Sequence, residues 1–421
     1  MADFYQTGIV PTLHRLNDNG LEHLEHELMV HARHTPVGLV LPALYVEFSR
    51  PAMAQIVREL RGARYLTRIV VALGEADDAE YRHARSFFEG FEVPVVMLRV
   101  DHPDIASLRT LLEERGIVSG PPGKGRSCWL AYGYMLACAD VDAIALHDCD
   151  IQNYSRELLA RLCYPVVHSE LGFEFCKGYY ARVADKLYGR VTRLFFTPLV
   201  RAMHGMAPDL GFLRFIDSFR YALSGEFAMK AQLARVNRLP SDWGLEVGTL
   251  AEVYRNCAVS RVCQVDLADN YEHKHQELSQ GDASKGLRRM AFDVAKSLFR
   301  TLASEGVVFT SDHFRSLQVR YVRMAEDTIN RYYADAMING LTFDRHAEEM
   351  TVNAFADSLR EAAAAFLENP LSQTQIPNWN RVVAAAPDFF DRLLMAVRDT
   401  DPLADVPPPS APVRVLSAVG R

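Results

Sequence analysis

A basic surplus is missing from this 421-residue chain: 46 Lys and Arg stand against 53 Asp and Glu, a formal charge of −7. General nucleic-acid binders show the opposite balance, so nucleic acid is not an expected partner, although a local basic pocket for a phosphate remains open. No apolar run reaches the roughly 20 residues a bilayer span needs; the most apolar early stretch, 37–48, is broken by Pro42 and Glu47. The first 19 residues lack a basic start followed by an apolar run, so no signal peptide is read. The expectation is a cytoplasmic protein without membrane insertion. The seven cysteines are odd in number, contain no CxxC pair and fit no zinc template, which reads as scattered reduced thiols. Also missing are GxGxxG, GxSxG, HExxH and any internal repeat. The nearest approach to a Walker loop, Gly120-Pro-Pro-Gly-Lys-Gly-Arg-Ser127, has Val118 and Gly125 where Gly and Ser or Thr are required.

What is present is ordinary globular material, 49% hydrophobic and 24% charged, ample for a core. Continuous apolar runs at 37–44, 68–74, 93–100 and 142–147 predict four buried strands. Helical spacing between them predicts helices over 51–60, 78–88, 108–115 and 127–139. This alternation implies an α/β fold with a mostly parallel sheet covered on both faces. Ligands of such sheets bind beyond the carboxyl ends of the strands, which places Pro42 to Glu47, Gly74, Val100 and Asp148 to Asp150 on one rim. Later, 171–176 and 262–267 have strand character. Phe314, Leu317, Tyr321, Met324, Thr328 and Tyr332 form the stripe of a long helix over 312–335. Pro402 onward is Pro-rich and reads as a mobile tail.

Asp148-Cys-Asp150 follows the fourth strand directly. Paired carboxylates there are hard oxygen ligands for Mg²⁺ or Mn²⁺, ions that take one or two protein carboxylates and share the rest of their shell with substrate phosphates. A bare pair of this kind is equally a turn or capping feature. Lys124, between Gly123 and Gly125, has the reach to touch a phosphate from a loop before a helix, or is simply a solvated lysine. His273 and His275 share a face only on an extended segment.

Taken in order, these motifs resemble the retaining glucosyl-3-phosphoglycerate synthases, nucleotide-sugar glycosyltransferases of GT-A fold. The resemblance runs from about residue 37 to 280. It rests on Pro42-Ala-Leu44 with Glu47, Gly123-Lys-Gly125, Asp148-Cys-Asp150, Lys177-Gly178, Gly189-Arg-Val-Thr192, Pro198-Leu199, Ser224-Gly-Glu226, Gly244-Leu-Glu-Val-Gly248, Gln264-Val-Asp-Leu267 and His273. By this resemblance Pro42, Ala43, Leu44, Glu47, Gly74, Lys124 and Asp148 hold the nucleotide-diphosphate sugar, with UDP-glucose as the donor. Asp150 and His273 hold Mg²⁺ or Mn²⁺, and Glu246 positions the transferred sugar. Gly189, Arg190, Val191 and Thr192 form the acceptor pocket for 3-phosphoglycerate. Tyr271 and His275 flank His273 at the acceptor, where the family carries Arg and Asn. These two differences leave open a sister reaction, with glycerate or a glycosylglycerate as acceptor or another donor. A non-catalytic nucleotide-sugar binder is the reading from a different class, disfavoured because Asp148, Asp150, Glu246 and His273 are all retained. The resemblance further implies a homodimer. The domain division expected is a catalytic unit over 1–280, a helical region over 281–400 and the tail over 401–421.

Overall fold

The structure, a computed structural model, describes residues 6, 8–16, 20–268, 286–372 and 375–405. Tyr271, His273, His275 and residues 406–421 lie outside the described residues.

Ten strands occur among the described residues: β1 (Thr12–Leu13), β2 (Val37–Leu44), β3 (Leu66–Gly74), β4 (Val95–Arg99), β5 (Ala143–Leu146), β6 (Phe175–Tyr180), β7 (Phe227–Lys230), β8 (Leu239–Pro240), β9 (Val262–Ala268) and β10 (Gln375–Ile376). Eight of them form one sheet in the order β1-β9-β6-β7-β5-β2-β3-β4. All neighbours are parallel except β7, which runs antiparallel to both β5 and β6. The α/β expectation therefore holds, and the four predicted strands are β2 to β5. The later strand expected at 171–176 sits further on, as β6. Glu174 instead bonds Arg261 and Lys230 through its backbone before β6 begins. β1 and β7 carry no sequence pattern long enough to announce them, at two and four residues.

The strands read as unbroken apolar runs because both faces are covered. Val40, Val70 and Leu146 point into one core, while Leu39, Ile69 and Ala145 point into the other. The second core is closed by helices Leu21–His31, Pro51–Leu60, Asp78–Ser86 and Arg156–Val167. The first is closed by helix Lys124–Cys138 and by helices from the far end of the chain, Gly286–Ser304, Ser311–Ile338, Arg345–Glu368 and Phe389–Thr400. Leu298, Phe355, Trp379 and Leu393 thus share one continuous core with the sheet. Along Ser311–Ile338 the buried positions are Phe314, Leu317, Tyr321, Ala325, Ile329 and Ala336. The stripe drifts from the predicted Met324 and Thr328 because a 3.6-residue period outruns alternate steps of three and four. Asp401 is fully buried; its carboxylate accepts from Tyr81 Oη at 2.7 Å and from the Met97 amide at 2.8 Å, so packed structure extends into the segment expected as tail.

Trp379 fastens the C-terminal segment to helix Lys124–Cys138. It is fully buried and stacks on Trp129 with centroids 4.1 Å apart, while Trp129 Nε1 donates to the Pro377 carbonyl at 2.9 Å. Deleting a buried indole costs its transfer free energy and leaves a cavity. Trp379→Ala is expected to destabilise the protein by about 3–5 kcal/mol, read as a lowered denaturant midpoint. A midpoint within experimental error of the parent would show that this segment is not fastened to the helix.

Candidate functional site

Strands β2, β3, β4 and β5 end side by side, and the chain turns away there because each next residue must leave the sheet. A cleft of about 1060 Å³ opens over those ends. It is lined by Pro42, Ala43, Leu44, Glu47, Gly74, Lys124, Asp148, Asp150, Gly189, Arg190, Val191, Thr192 and Glu246. Every described residue that the sequence singled out for donor, acceptor, metal or sugar contact is therefore in one cavity.

Its floor is a charge cluster. Lys124 is the first residue of helix Lys124–Cys138, which starts three residues before the predicted 127, so this lysine belongs to the helix and not to the loop before it. Its Nζ lies 2.6 Å from Asp148 Oδ1 and 3.0 Å from Glu246 Oε1. Burial opposes charge on Lys124, but Asp148 and Glu246 outweigh it and hold the ammonium well above its ordinary pKa. The flanking glycines have a steric reason: a Cβ on Gly123 would meet the Ser241 carbonyl oxygen at 2.4 Å, and one on Gly125 the Pro240 oxygen at 2.0 Å. Only glycines allow the helix to start against the 240–241 backbone, and that contact brings the following segment, with Glu246, over Lys124.

Asp148 and Asp150 face the cleft while Cys149 between them is buried, the alternation of an extended segment leaving a strand. Behind Asp148 stands Gly225, where a Cβ would lie 2.3 Å from the Asp148 carboxylate. Beneath that is a buried polar layer. Glu226 is fully buried and accepts from Tyr180 Oη at 2.7 Å and, more weakly, from the Asp148 amide at 3.5 Å. Lys177 is 1% exposed; its Nζ donates to the Ser224 carbonyl at 2.6 Å, and the Ser224 hydroxyl donates to the Gly178 carbonyl at 2.6 Å. Burial pulls the Lys177 amine down to about 8, with Glu246 and Glu226 opposing. The motifs Lys177-Gly178 and Ser224-Gly-Glu226 are thus two sides of one support under Asp148.

The opposite wall begins where the chain turns at Gly189 (φ +72°) into a π-helical turn, Val191–Phe196, closed by the Thr197 amide on the Thr192 carbonyl. Such wide turns recur at functional sites. Arg190 is about one-third exposed and lies 3.5 Å from Glu348 Oε1. Glu348 is itself held by Arg193 in a two-pronged pair, at 2.8 and 3.2 Å. Arg190 is therefore neither a fully solvated surface residue nor an obligatory partner of Glu348. Lys186, on the same wall, lies over the Tyr188 ring at 5.5 Å.

Several lining groups were not singled out from sequence: Arg182, Tyr180, Asp101, Arg126, Trp243 and Asp293. Arg182 donates to Tyr221 Oη at 3.3 Å. Arg126 pairs with Asp101 at 3.4 Å, and Asp101 also accepts from the Glu75 amide at 3.1 Å. Asp293 comes from helix Gly286–Ser304, with Leu287, Arg289 and Met290 beside it on the wall. No local motif marks these positions, which come from a strand end, loops and two helices.

No protein-family model matches the chain. It is 49% identical over 399 residues to the glucosyl-3-phosphoglycerate synthase of Persephonella marina, covering 95% of this chain and 99% of that protein. It is 39% identical over 366 residues to the protein of the same name from Methanococcoides burtonii, covering 86% and 89%. Among solved structures, the glucosyl-3-phosphoglycerate synthase of Mycobacterium tuberculosis, in complex with Mn²⁺, UDP-glucose and phosphoglyceric acid, aligns with a TM-score of 0.51 at 22% identity, over 72% of this chain and 89% of that one. The mannosyl-3-phosphoglycerate synthase of Rubrobacter xylanophilus aligns with a TM-score of 0.51 at 22% identity, over 68% and 80%. At these identities the two structures speak to the fold.

Asp293 gives the cleft wall a measurable cost. It is 1% exposed; burial and the neighbouring Asp242 push its carboxyl up to about 6, although Arg289 Nε lies 2.9 Å away. Between its unfolded pKa, about 3.9, and 6 the folded state binds the extra proton, so its contribution to stability falls as pH rises through that window. Asp293→Asn is expected to stabilise the protein by roughly 1–3 kcal/mol above pH 6 and to change nothing at pH 3.5, measured as melting temperature against pH. A variant less stable than the parent at pH 8 would contradict the assignment.

Proposed function

The chain belongs to the glucosyl-3-phosphoglycerate synthase family of glycosyltransferases, and from that premise we propose that it transfers glucose from UDP-glucose to 3-phosphoglycerate with retention at the anomeric carbon, using Mg²⁺ or Mn²⁺. The observation that carries the reading is the Lys124 ammonium held between Asp148 and Glu246, in a cleft flanked on one side by strand ends and on the other by Arg190.

The donor end is supported by the strand termini. Pro42 to Leu44, Glu47 and Gly74 would enclose the base and ribose, with Asp148 on the ribose. Lys124 can exchange a carboxylate contact for a diphosphate oxygen while staying charged and paired. Glu246, 6% exposed, would then turn its oxygens to the sugar hydroxyls. Asp150 offers hard oxygens to the cleft, which suits Mg²⁺ or Mn²⁺; Asp150 and His273 would hold the ion. Bound there, it would supply Lewis-acid neutralisation of the departing diphosphate.

The acceptor end is supported by Arg190, Thr192 and the backbone around Gly189, with Tyr271 and His275 as its further members. A guanidinium suits the phosphate or carboxylate of the acceptor because its donors form a bidentate fork. The acceptor hydroxyl would attack on the face from which the diphosphate leaves and give its proton to the leaving oxygen, so no covalent glycosyl-enzyme is required. Glu246 is a poor nucleophile while its Oε1 is bonded to Lys124. Glycerate or a glycosylglycerate as acceptor remains the second reading, motivated by Tyr271 and His275. The same reading includes a cytoplasmic homodimer, for which exposed Val319, Met337 and Ile338 on helix Ser311–Ile338 offer apolar surface.

The test is a panel of nucleotide sugars against 3-phosphoglycerate, glycerate and glucosylglycerate, with and without chelator. Expected is UDP-glucose with 3-phosphoglycerate as the best pair, abolished by chelation and restored by Mg²⁺ or Mn²⁺. Asp150→Ala should be inactive yet folded, because a rim carboxylate adds little packing. Full activity in chelator, or in Asp150→Ala, removes the metal from the proposal. Glycerate outperforming 3-phosphoglycerate moves the assignment to the sister reaction.

Arg190 supplies a sharper expectation. Removing it leaves Glu348 with Arg193, so the fold should survive. An Arg paired to phosphate in a partly dry pocket contributes about 1.5–3 kcal/mol, so Arg190→Ala should weaken use of 3-phosphoglycerate by about 10- to 150-fold with donor KM nearly unchanged. Equal losses for glycerate and 3-phosphoglycerate would mean that Arg190 reads the carboxylate, and no loss for either would take this segment out of the acceptor pocket.

A further inference from the structure

Two helices end together on the side of the sheet remote from the cleft. Helix Leu21–His31 ends shortly before β2 starts, and helix Arg156–Val167 shortly before β6 starts. Their C-termini therefore lie at the amino edge of the parallel strands, whereas the cleft lies at the carboxyl edge. There Glu27, His31 and His168 each offer one ligand atom, all within 4.8 Å of one another. His31 Nε2 is 3.7 Å and His168 Nε2 3.9 Å from Glu27 Oε2, and the two imidazole centroids are 3.9 Å apart.

We propose that Glu27, His31 and His168 form a second metal site, for Zn²⁺ or a similar divalent transition ion, which staples the N-terminal helix to helix Arg156–Val167. Two imidazoles and a carboxylate are the ligand set of three-ligand zinc sites that keep a fourth position for water. Zinc bonds of about 2.0–2.1 Å at tetrahedral angles put ligand atoms about 3.3 Å apart, so the site closes by side-chain rotation alone. Glu27 and His31 stand four residues apart on one helix face, where side chains meet. The three side chains are 13% to 29% exposed, partly dry yet open to an ion. Both helices also direct their negative dipole ends here, which favours a cation.

The ring environments are compatible. The Ser169 hydroxyl lies 3.4 Å from His31 Nδ1 and orients that ring with Nε2 toward Glu27. His168 Nδ1 accepts from the Glu170 amide at 3.3 Å; coordination through Nε2 gives this long bond up to water, which is at hand because Glu170 is exposed. The clamp has something to do. Leu28 is the one fully buried residue of helix Leu21–His31, and the Glu25–Arg156 pair at 2.9 Å is a polar tie to the neighbouring helix. A metal would add the cross-link that apolar burial does not. Imidazole ligands also select a different ion from the oxygen-rich cleft, since hard Mg²⁺ prefers carboxylate and water.

The experiment uses the full chain carrying Asp150→Ala and His273→Ala, which removes the cleft ligands. Chelator-stripped protein is equilibrated with Zn²⁺ or Co²⁺. Expected are one ion per chain by elemental analysis, visible d–d bands of four-coordinate Co²⁺, a melting temperature raised by a few degrees, and no displacement by excess Mg²⁺. Introduced into that background, His31→Gln and His168→Gln should each weaken binding by about 100-fold or more while the metal-free melting temperature stays near the parent's. Glu27→Gln, nearly identical in shape, serves if an imidazole variant melts early. Absence of stoichiometric binding in the background protein overturns the proposal, as does binding that survives these substitutions. Either failure leaves the cleft assignment untouched, because that is read by transfer activity with Mg²⁺.

Discussion

The Lys124 ammonium, gripped by Asp148 and Glu246, is the contact on which the geometry of the cleft turns. Burial disfavours a charged amine, and Asp148 and Glu246 are the partners that keep this one protonated. The three groups come from a helix start, a strand end and a later helix, separated by up to 122 residues. Each can reach the others only because bulk has been removed elsewhere. Gly123 and Gly125 let the helix start against the 240–241 backbone, and Gly225 leaves the volume that the Asp148 carboxylate fills. The motifs around them are steric conditions for one ionic contact as much as they are ligand contacts.

The support beneath that contact is polar where a core would ordinarily be apolar. Lys177, Glu226 and Tyr180 are buried and hydrogen-bonded: Lys177 to the Ser224 carbonyl, and Tyr180 to the Glu226 carboxylate that also accepts from the Asp148 amide. Buried polar groups cost stability unless every member is satisfied, and a satisfied network fixes direction more tightly than apolar packing. Lys177, Ser224 and Glu226 thus place a polar cluster under one strand end. Asp293, held against Asp242 in the opposite wall, has the same character: a group placed for what it faces, at some expense to the fold.

Legibility in the sequence followed the length of each element and the range of its contacts. β2 to β5 declare themselves because strands buried on both faces must be continuous apolar runs, and their alternation with helices dictates a parallel sheet. Asp148 and Asp150 are visible because the second of two carboxylates falls back on the same side of an extended chain. β7, at four residues and antiparallel, has no period to detect, and its place between β5 and β6 is fixed by long-range pairing. Ser224-Gly-Glu226 is visible as a motif, but the role of Glu226 is not, since Tyr180 and Asp148 reach it only through the fold. The C-terminal helices were legible as helices but not as walls of the cleft. Leu287, Met290 and Asp293 reach it through tertiary packing alone, and Glu348 meets it only through Arg190.

That packing divides the cleft into two independently built halves. The side proposed for the donor consists of strand ends, which cannot shift without moving the sheet. The wall assigned to the acceptor consists of the Gly189 turn, a π-helical segment and residues of the C-terminal helices, tied by the Arg193–Glu348 pair. A π turn and an ion pair are adjustable parts: a one-residue change in either re-aims Arg190 without touching Lys124, Asp148 or Glu246. On the proposed function, changes in acceptor preference would therefore fall on the side built by residues 189–196 and 286–293. Tyr271 and His275, proposed above as further members of the acceptor pocket, lie between these segments in sequence. On the proposed function, a chain that altered its acceptor while keeping its donor would change residues here and retain the strand ends.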